Sequence, residues 1–346
     1  MQIQVDRSTD FYKRIDNFAR ASKVESLTIF PSEVKEVLIT IAIPTYNRPE
    51  QLKESIESAL SLKGGYPFEV IVVDNNPARM DGTEKMVSGY KGDGRVSYYK
   101  NGDNLGMGGN WNRAVWLSRS KWVVLLHDDD RLEPDFLEKT VPFLKKLDPA
   151  VLNTRKYSDE GQRPNRRWKN IKRIAKLDLL YGNAVDVPSG IILNREAVMA
   201  EGGFNNDYYP SLDYCFYSLL LRKYPVYMLN EDLTFYRREV NASLSLQVQE
   251  DWLIIGYYLT WQMLEHYGFP QWIILPFLQV RTQAAYQTIE SAWHSGLVIP
   301  KDSLWGDKVY SSFRKGLSKC IVSLFIRLEK VKARISCFFH MINNKV

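Results

Sequence analysis

Three adjacent aspartates are the part of this sequence best suited to chemistry. Asp128, Asp129 and Asp130 follow the apolar run 122–126, which has the length of a buried strand. Neighbouring carboxylates repel one another unless a positive charge lies between them. Hard divalent cations prefer oxygen ligands and often bind one or two carboxylates together with substrate phosphates. We therefore predict a divalent metal site here; the alternative is a solvated acidic turn that caps the next helix.

Polar residues close two earlier apolar runs in the same way. Asp74 ends the run 68–73 and is predicted to accept hydrogen bonds from the base or ribose of a nucleotide. An Asx turn with the two asparagines that follow is the alternative. The segment after the run 37–43 could hold a base or phosphate, or cap a helix. That segment consists of Pro44, Thr45, Tyr46, Asn47 and Arg48.

A single carboxylate later in the chain is a candidate general base. Asp213 begins a predicted helix over residues 211–224. A carboxylate in the first turn of a helix is favourable by about 0.3–1 kcal/mol without any catalytic role. In an active site it could instead accept a proton from a reacting hydroxyl. Its position alone leaves both interpretations open.

The elements that must position these residues alternate between strands and helices. Runs at 37–44, 68–76, 95–101 and 121–130 are predicted strands, and helical spacing of apolar residues separates them. This order predicts an α/β fold with a mostly parallel sheet flanked by helices. Because parallel sheets bind ligands beyond the carboxyl ends of their strands, the polar residues above should meet at one edge.

Other segments carry weaker patterns. Residues 104–110, which include Gly-Met-Gly-Gly, are predicted to be a flexible or tightly packed loop. The glycines do not match a dinucleotide-binding loop, because Trp111 stands where that loop needs its third glycine. Residues 225–239 are predicted to form two strands. From residue 250 onward the chain is predicted to be helical.

Composition excludes several classes of protein. The chain has 346 residues, of which 45% are hydrophobic and 25% charged, so it is neither disordered nor a small disulfide scaffold. Its three cysteines show no C-x-x-C spacing, which favours a reducing compartment. The N-terminus lacks the apolar run of a signal peptide, and no run reaches the length of a transmembrane helix. We expect a cytoplasmic protein.

The net charge of +6 is concentrated near the C-terminus. Residues 301–346 hold 10 basic and 3 acidic side chains, and apolar residues recur there every three or four positions. This pattern predicts a basic amphipathic helix, and residues 307–346 are expected to bind an anionic membrane surface. Packing on the protein's own domain or a dimer contact are the alternatives. The apolar residues are Val309, Phe313, Leu317, Cys320, Ile321, Leu324, Leu328, Val331, Ile335 and Phe338.

A second basic block covers residues 155–176, with nine Lys or Arg against Asp159 and Glu160. It is consistent with a solvated helix face, a membrane contact or a clamp for an acceptor phosphate. Nucleic acid is not an expected partner, because no recognised binding motif accompanies the charge.

Taken together, the motifs resemble those of the family-2 glycosyltransferases, which have the nucleotide-sugar transferase (GT-A) fold. The resemblance covers roughly residues 38–245, and it is specific for the superfamily because the motifs occur together and in order. They are IAIPTYNRPEQLKESIESAL, VIVVDNN, NLGMGGNWNRAV with Asn112, VVLLHDDDRLEPDFL, GGFNND with LDYCFY, and YRREVNASLS. The implied organisation is an N-terminal extension (1–37), a catalytic domain (38–245) and a helical C-terminal region (246–346).

The resemblance implies roles for particular residues. Residues 44–48, Asp74 and the loop with Asn112 would line the nucleotide-sugar pocket. In the family's acidic motif, whose first position is occupied here by His127, the last aspartate binds Mn²⁺ or Mg²⁺. That residue is Asp129, with Asp128 facing the ribose; a register shift of one would make Asp130 the ligand. Asp213 would be the catalytic base.

The activity implied is an inverting sugar transfer from a nucleotide-diphosphate donor, expected to be a UDP-sugar, to an acceptor hydroxyl. The expected acceptor is a saccharide or lipid-linked saccharide in surface polysaccharide biosynthesis, with the protein peripheral on the inner face of the cell membrane. Two alternatives are a nucleotidyltransferase on a related sheet, although residues 44–49 offer only one basic residue, and an inactive nucleotide-binding scaffold.

Overall fold

The computed structural model of this protein divides into two compact units. The larger unit comprises residues 12–174 and 183–241, and the smaller comprises residues 1–11, 175–182 and 242–346. Residues described by the structure are 5–158, 170–238, 245–294, 296–305 and 308–343, without side-chain detail at 293, 302, 303 and 330–343.

The larger unit is built around a mixed sheet of ten strands. In spatial order the strands are β1, β4, β3, β2, β5, β9, β7, β10 and β6, and β8 pairs with β10. The strand bounds are β1 Ser26–Phe30, β2 Ile39–Thr45, β3 Phe68–Asp74, β4 Val96–Asn101, β5 Trp122–Leu125, β6 Arg131–Leu132, β7 Val151–Tyr157, β8 Ile171–Ile174, β9 Ile191–Asn194 and β10 Val226–Phe235.

Helices of the larger unit follow the strands as the alternating pattern predicts. Their bounds are α1 Asn17–Ala21, α2 Pro49–Leu60, α3 Gly82–Ser88, α4 Gly106–Leu117, α5 Phe136–Leu147, α6 Arg195–Ala200 and α7 Leu212–Leu220. In α2, Leu52, Ile56 and Ala59 are fully buried against the sheet core, which explains their helical spacing. Pro49 occupies the first turn, where its missing N–H costs no hydrogen bond.

Strand register brings the predicted site residues to one edge of the sheet. β2 pairs in parallel with β3, so that Thr45 lies opposite Asp74, and β2 also pairs in parallel with β5. The carboxyl ends of these three strands therefore point the same way. The predicted sheet class is confirmed, and antiparallel pairing occurs where β9 joins β5 and β7.

Three local predictions differ from the structure. The segment predicted as a loop before Trp111 is largely helical, since α4 already begins at Gly106. Asn206 explains this start: its side-chain oxygen accepts the backbone N–H groups of Gly108 and Gly109, so the glycines need no cap of their own. Residues 226–235 form one strand, not two, because two register irregularities against β7 take the place of a turn.

β5 is shorter than the predicted strand and ends at Leu125, before the aspartates. N-terminal residues 26–30 add an edge strand, β1, antiparallel to β4. Half of the basic block predicted to contact solvent, membrane or acceptor, residues 159–169, lies outside the described residues.

The smaller unit is helical. Its bounds are α8 Leu246–His266, α9 Gln271–Trp293, α10 Lys301–Leu304 and α11 Ser312–Asn343, with a short 3-10 helix at Lys176–Tyr181. Apolar residues of α8 and α9 such as Leu259, Ile274 and Phe277 are fully buried. Within the part of the chain that the structure describes, no helix combines the length and the apolarity required to cross a membrane.

Candidate active site

The triple aspartate forms a tight turn directly after β5. The backbone N–H of Asp130 donates to the carbonyl of His127 at 3.2 Å. The buried Ser55 hydroxyl of α2 lies 2.7 Å from the carbonyl oxygen of Asp130 and 3.3 Å from that of His127. These contacts tie the turn to α2, so the carboxylates extend from a backbone that is already fixed.

Arg48 neutralises part of the charge. Its Nη1 lies 2.8 Å from Asp129 Oδ2 and 3.3 Å from Asp128 Oδ1. Asp128 also accepts the Thr45 hydroxyl at 2.7 Å and the more distant Tyr46 N–H. Asp128 is thus turned toward the segment 44–48, as predicted for residues that meet at one strand edge.

His127, Asp129 and Asp130 form the part of the cluster that could hold a metal. One ligand atom from each lies within 4.8 Å of the others. Asp130 is fully buried, and its Oδ1 accepts the backbone N–H of Arg237 at 2.8 Å. Asp130 Oδ2 and His127 Nε2 are buried without a hydrogen-bond partner among the described residues. Buried polar atoms are usually satisfied, so these two orphaned ligand atoms fit a divalent cation.

The pKa shifts agree with an incompletely compensated cluster. Burial raises the pKa of Asp128 to about 6 against the opposing effect of Arg48. Burial, and then the charge of Asp129, raise the pKa of Asp130. Burial lowers the pKa of His127 to about 4, so the imidazole is neutral near pH 7 and able to act as a ligand. Its ring stacks on Trp111 with a centroid distance of 5.4 Å, which fixes its plane.

Asp213 lies in the first turn of α7 as predicted. Asn183 donates its amide to Asp213 Oδ2 at 2.9 Å. Burial raises the pKa of Asp213 to about 6, with backbone hydrogen bonds opposing the shift and the charge of Asp186 adding to it. Asp213 as a residue is partly exposed. A base with this pKa is ionised near neutral pH.

One nearly buried lysine is influenced by the charges of both the base and the acidic turn. Lys156 of β7 is only 7% exposed, and its Nζ donates to Asn153 Oδ1 at 2.9 Å and lies 3.9 Å from Asp186 Oδ2. Burial lowers its pKa, while the charges of Asp186, Asp130 and Asp213 act in the opposite direction. The site gathers residues from the ends of β2 and β5, from β7 and from α7.

Asp74 occupies a different environment from the one predicted for a ligand-facing residue. It is fully buried, and its Oδ2 accepts Lys100 Nζ at 2.7 Å and the Tyr98 hydroxyl at 2.8 Å. Its Oδ1 accepts the N–H of Asn76 at 2.9 Å, which is the Asx turn of the alternative interpretation. A nucleotide contact by Asp74 stays a prediction. The same holds for Asn112, whose buried amide bonds both backbone groups of Phe204.

Residues 44–48 present a mixed surface. Tyr46 is 48% exposed, and Asn47 has a left-handed backbone with φ of 57°. The left-handed residue lets the chain turn from β2 into α2, and Asn tolerates that conformation. An exposed aromatic ring at this edge is suited to stacking on a base.

Sequence reasoning missed several residues of the site. Lys156, Asn183 and Asp186 arrive through β7 and the loop before β9, which no local motif connects to the aspartates. Lys156 was inside the basic block, but periodicity does not reveal that its ammonium is buried. Arg237 was inside the quoted YRREVNASLS motif, and that motif was the available signal for its bond to Asp130.

Comparison with known proteins identifies the domain. A model of Glycosyl transferase family 2 matches residues 40–203. An uncharacterized glycosyltransferase of Methanocaldococcus jannaschii is 35% identical over 114 residues, or 33% of this chain and 39% of the relative. Abequosyltransferase RfbV of Salmonella typhimurium is 31% identical over 139 residues, or 38% of this chain and 41% of the relative. The chain thus spans about two fifths of each relative.

Two solved structures share the fold. S. aureus TarS in complex with UDP-GlcNAc has a TM-score of 0.52 at 16% identity, covering 75% of this chain and 93% of that one. The mannosyltransferase PcManGT from Pyrobaculum calidifontis, in complex with GDP-Man and Mn²⁺, has a TM-score of 0.50 at 16% identity, covering 90% and 93%. The predicted GT-A-type fold and the family resemblance are confirmed, since residues 40–203 match the model of Glycosyl transferase family 2.

Proposed function

We propose that this protein is an inverting glycosyltransferase that moves a sugar from a nucleotide-diphosphate donor to an acceptor hydroxyl. The observation that carries the proposal is the acidic turn after β5, where buried ligand atoms of His127 and Asp130 lack a hydrogen-bond partner among the described residues. This turn suits a metal and a diphosphate. In the same unit, Asp213 is a partly exposed residue whose carboxyl has a raised pKa, which suits a general base.

A divalent cation, Mn²⁺ or Mg²⁺, would be held by Asp129 and Asp130, with His127 as a third ligand. When bound, such a cation acts as a Lewis acid and neutralises the developing charge of the diphosphate. Arg48 pairs with Asp129 at 2.8 Å, and it would turn toward the donor phosphates once the carboxylate charge is otherwise balanced. The complex of PcManGT with GDP-Man and Mn²⁺ supports this assignment.

Asp213 would accept the acceptor's hydroxyl proton on a carboxyl oxygen. As the O–H bond breaks, the acceptor oxygen forms a bond to the anomeric carbon, and the bond from that carbon to the diphosphate breaks. One displacement of this kind inverts the anomeric configuration. Asn183 holds Oδ2 of Asp213 at 2.9 Å and so orients the carboxyl.

Residues 44–48 would hold the nucleotide, with Tyr46 against the base and Asp128 near the ribose. Asp74 and Asn112 would then support the pocket from inside the protein, because both side chains are fully buried. A UDP-sugar is the proposed donor, in line with the complex of TarS with UDP-GlcNAc. A saccharide, free or carried on a lipid, is the proposed acceptor for polysaccharide assembly, which suits a relative named as an abequosyltransferase.

The test is a screen of nucleotide sugars for hydrolysis and transfer, each with Mn²⁺, with Mg²⁺ and with chelator. We expect one donor to release nucleoside diphosphate only when the metal is present, and Asp213→Asn to lose this turnover while still binding the donor. If the protein neither binds nor turns over any of the nucleotide sugars, the proposal is refuted.

A further inference from the structure

Over residues 312–329, where its side chains are described, helix α11 has two apolar faces, one covered and one exposed. Val322 is fully buried, and Ser318 and Ile326 on the same side are 2% and 7% exposed. The neighbouring Phe325 ring packs edge-on against Tyr267 and Phe269, with centroids 5.4 and 5.0 Å away. This face anchors α11 on the rest of the helical unit, principally α9.

The opposite face presents large apolar side chains to solvent. Their positions advance by four, three, four and four residues, so they form one stripe about half a turn away from the buried face. Phe313 is 77% exposed, Leu324 is 59% exposed and Leu328 is 53% exposed. The full stripe is Phe313, Leu317, Cys320, Leu324 and Leu328. A row of exposed large apolar residues on a folded domain marks an interaction site.

The charges beside the stripe are of one sign. Arg314, Lys319 and Arg327 are exposed on α11, and Glu329 is the one acidic residue between 308 and 343. The sequence continues with Lys330, Lys332 and Arg334, whose side chains lie outside the described residues. An apolar stripe bordered by cations complements an anionic surface of lipid headgroups.

We propose that the exposed face of α11 binds an anionic lipid bilayer, with the stripe in the headgroup region and the basic residues beside the phosphates. A second copy of the chain is the less suitable occupant. Paired helices place the residues that flank the apolar seam near one another, and stable pairs carry opposite charges there. Arg314, Lys319 and Arg327 would instead repel their counterparts. The stripe and the basic residues beside it are thus the side chains through which residues 307–346 would bind the membrane.

The first test is co-sedimentation of the full chain with vesicles. We expect binding to vesicles containing about one third phosphatidylserine, and little to pure phosphatidylcholine, with the difference weakening as salt rises from about 0.05 to about 0.5 M, since screening shortens the reach of charge. Phe313→Gln/Leu324→Gln should lower the partition coefficient by on the order of tenfold or more. Val298→Gln is the matched control, because Val298 is 78% exposed and lies outside α11.

Cys320 offers a second, independent readout. It lies exposed within the stripe, whereas Cys215 is buried. In a Cys337→Ser background, a polarity-sensitive fluorophore on Cys320 should shift to the blue when anionic vesicles are added. No shift and no sedimentation at low salt would overturn the proposal. Efficient Cys320 cross-linking between copies in solution, without vesicle binding, would also overturn it and would assign the face to a dimer.

Discussion

Two strand ends on the same sheet edge carry buried carboxylates, and they are satisfied to different degrees. Asp74, at the end of β3, receives hydrogen bonds from Lys100, Tyr98 and Asn76. Asp130, after β5, is equally buried but has one oxygen without a partner among the described residues. Both residues are predicted from the same rule that places polar groups beyond parallel strands. From this difference we infer that the polar bonds of Asp74 stabilise the fold, and we propose that the turn at Asp128–Asp130 binds a ligand.

The physical reason is the cost of burying charge. A buried carboxylate is stable when a cation and hydrogen bonds replace its hydration, as Lys100 does at 2.7 Å from Asp74. At Asp130, burial and the charge of Asp129 raise the pKa although hydrogen bonds from Ser189 and Arg237 oppose the shift, so the cost of burial is only partly offset. A cation supplied from outside would remove it. Substitutions around Asp74 should therefore lower the stability of the fold, whereas substitutions in the turn Asp128–Asp130 should weaken metal-dependent donor binding.

The largest effect is expected at the base. Asp213→Asn keeps the shape of the side chain but cannot accept a proton, so turnover should fall by about 10²–10⁴-fold. Donor affinity and melting temperature should be unchanged, since Asn can still bond Asn183. Steady-state kinetics with donor-binding titration check this. Turnover within a factor of about three of wild type would show that another group is the base.

At the closed strand end, the effect should be on stability. Lys100→Met leaves Asp74 buried without its cation, which should lower the free energy of unfolding by about 3–5 kcal/mol. Denaturant unfolding measures this change. The double variant Lys100→Met/Asp74→Asn should recover part of the loss, because no uncompensated charge remains. Asp130→Asn is the matched change at the open strand end and should cost little. Equal losses for Lys100→Met and Asp130→Asn would remove the distinction between the two ends.

The pH dependence should follow the base. Asp213 is active when ionised, and its pKa is raised to about 6. Turnover at saturating donor should therefore fall about tenfold per unit as pH drops below 6, and level off above it. The charge of Asp186 adds to the raised pKa of Asp213, and the charge of Asp213 acts to raise the pKa values of Lys156, Cys215 and Tyr217. Asp186→Asn removes one nearby negative charge and should move the profile to lower pH. A profile unchanged by this substitution would argue against Asp213 as the titrating group.

The smallest effect is expected at His127. His127→Ala removes one nitrogen ligand and should weaken Mn²⁺ affinity by about tenfold, a loss typical of altered metal ligation. Pulsed electron paramagnetic resonance of bound Mn²⁺ should show coupling to an imidazole nitrogen in the wild type and none in the variant. If the wild type also lacks this coupling, His127 does not bind the metal and only packs on Trp111.

The sequence was sufficient to predict the strand ends, because β-branched apolar runs and the polar residues after them are local signals. β2, β3 and the position of Asp213 at a helix start follow the predictions. The sequence was not sufficient to predict that both oxygens of Asp74 are hydrogen-bonded, whereas one oxygen of Asp130 has no partner among the described residues. That distinction depends on Lys100, whose side chain lies beside Asp74 because β4 pairs in parallel with β3. Nor could a local pattern bring Lys156 to Asp213, since β7 and α7 are separated by more than fifty residues.

The start of α4 is a second case in which a residue distant in sequence determines the local structure. Gly-Met-Gly-Gly has low helix propensity, and a loop was the reasonable prediction. Asn206, almost a hundred residues later, accepts the N–H groups of Gly108 and Gly109 and makes the helix start there favourable. Tertiary contacts overrode the local preference.

We propose that donor binding requires a divalent cation held by the turn Asp128–Asp130. Isothermal titration of nucleoside diphosphate into the full chain, with Mn²⁺ and with chelator, tests it most directly, using wild type and Asp129→Asn side by side. We expect Mn²⁺ to raise the affinity of the wild type for nucleoside diphosphate by at least about tenfold. The affinity of Asp129→Asn should be the same with Mn²⁺ and with chelator, and both proteins should melt at similar temperatures. Equal affinity of the wild type with Mn²⁺ and with chelator would contradict it.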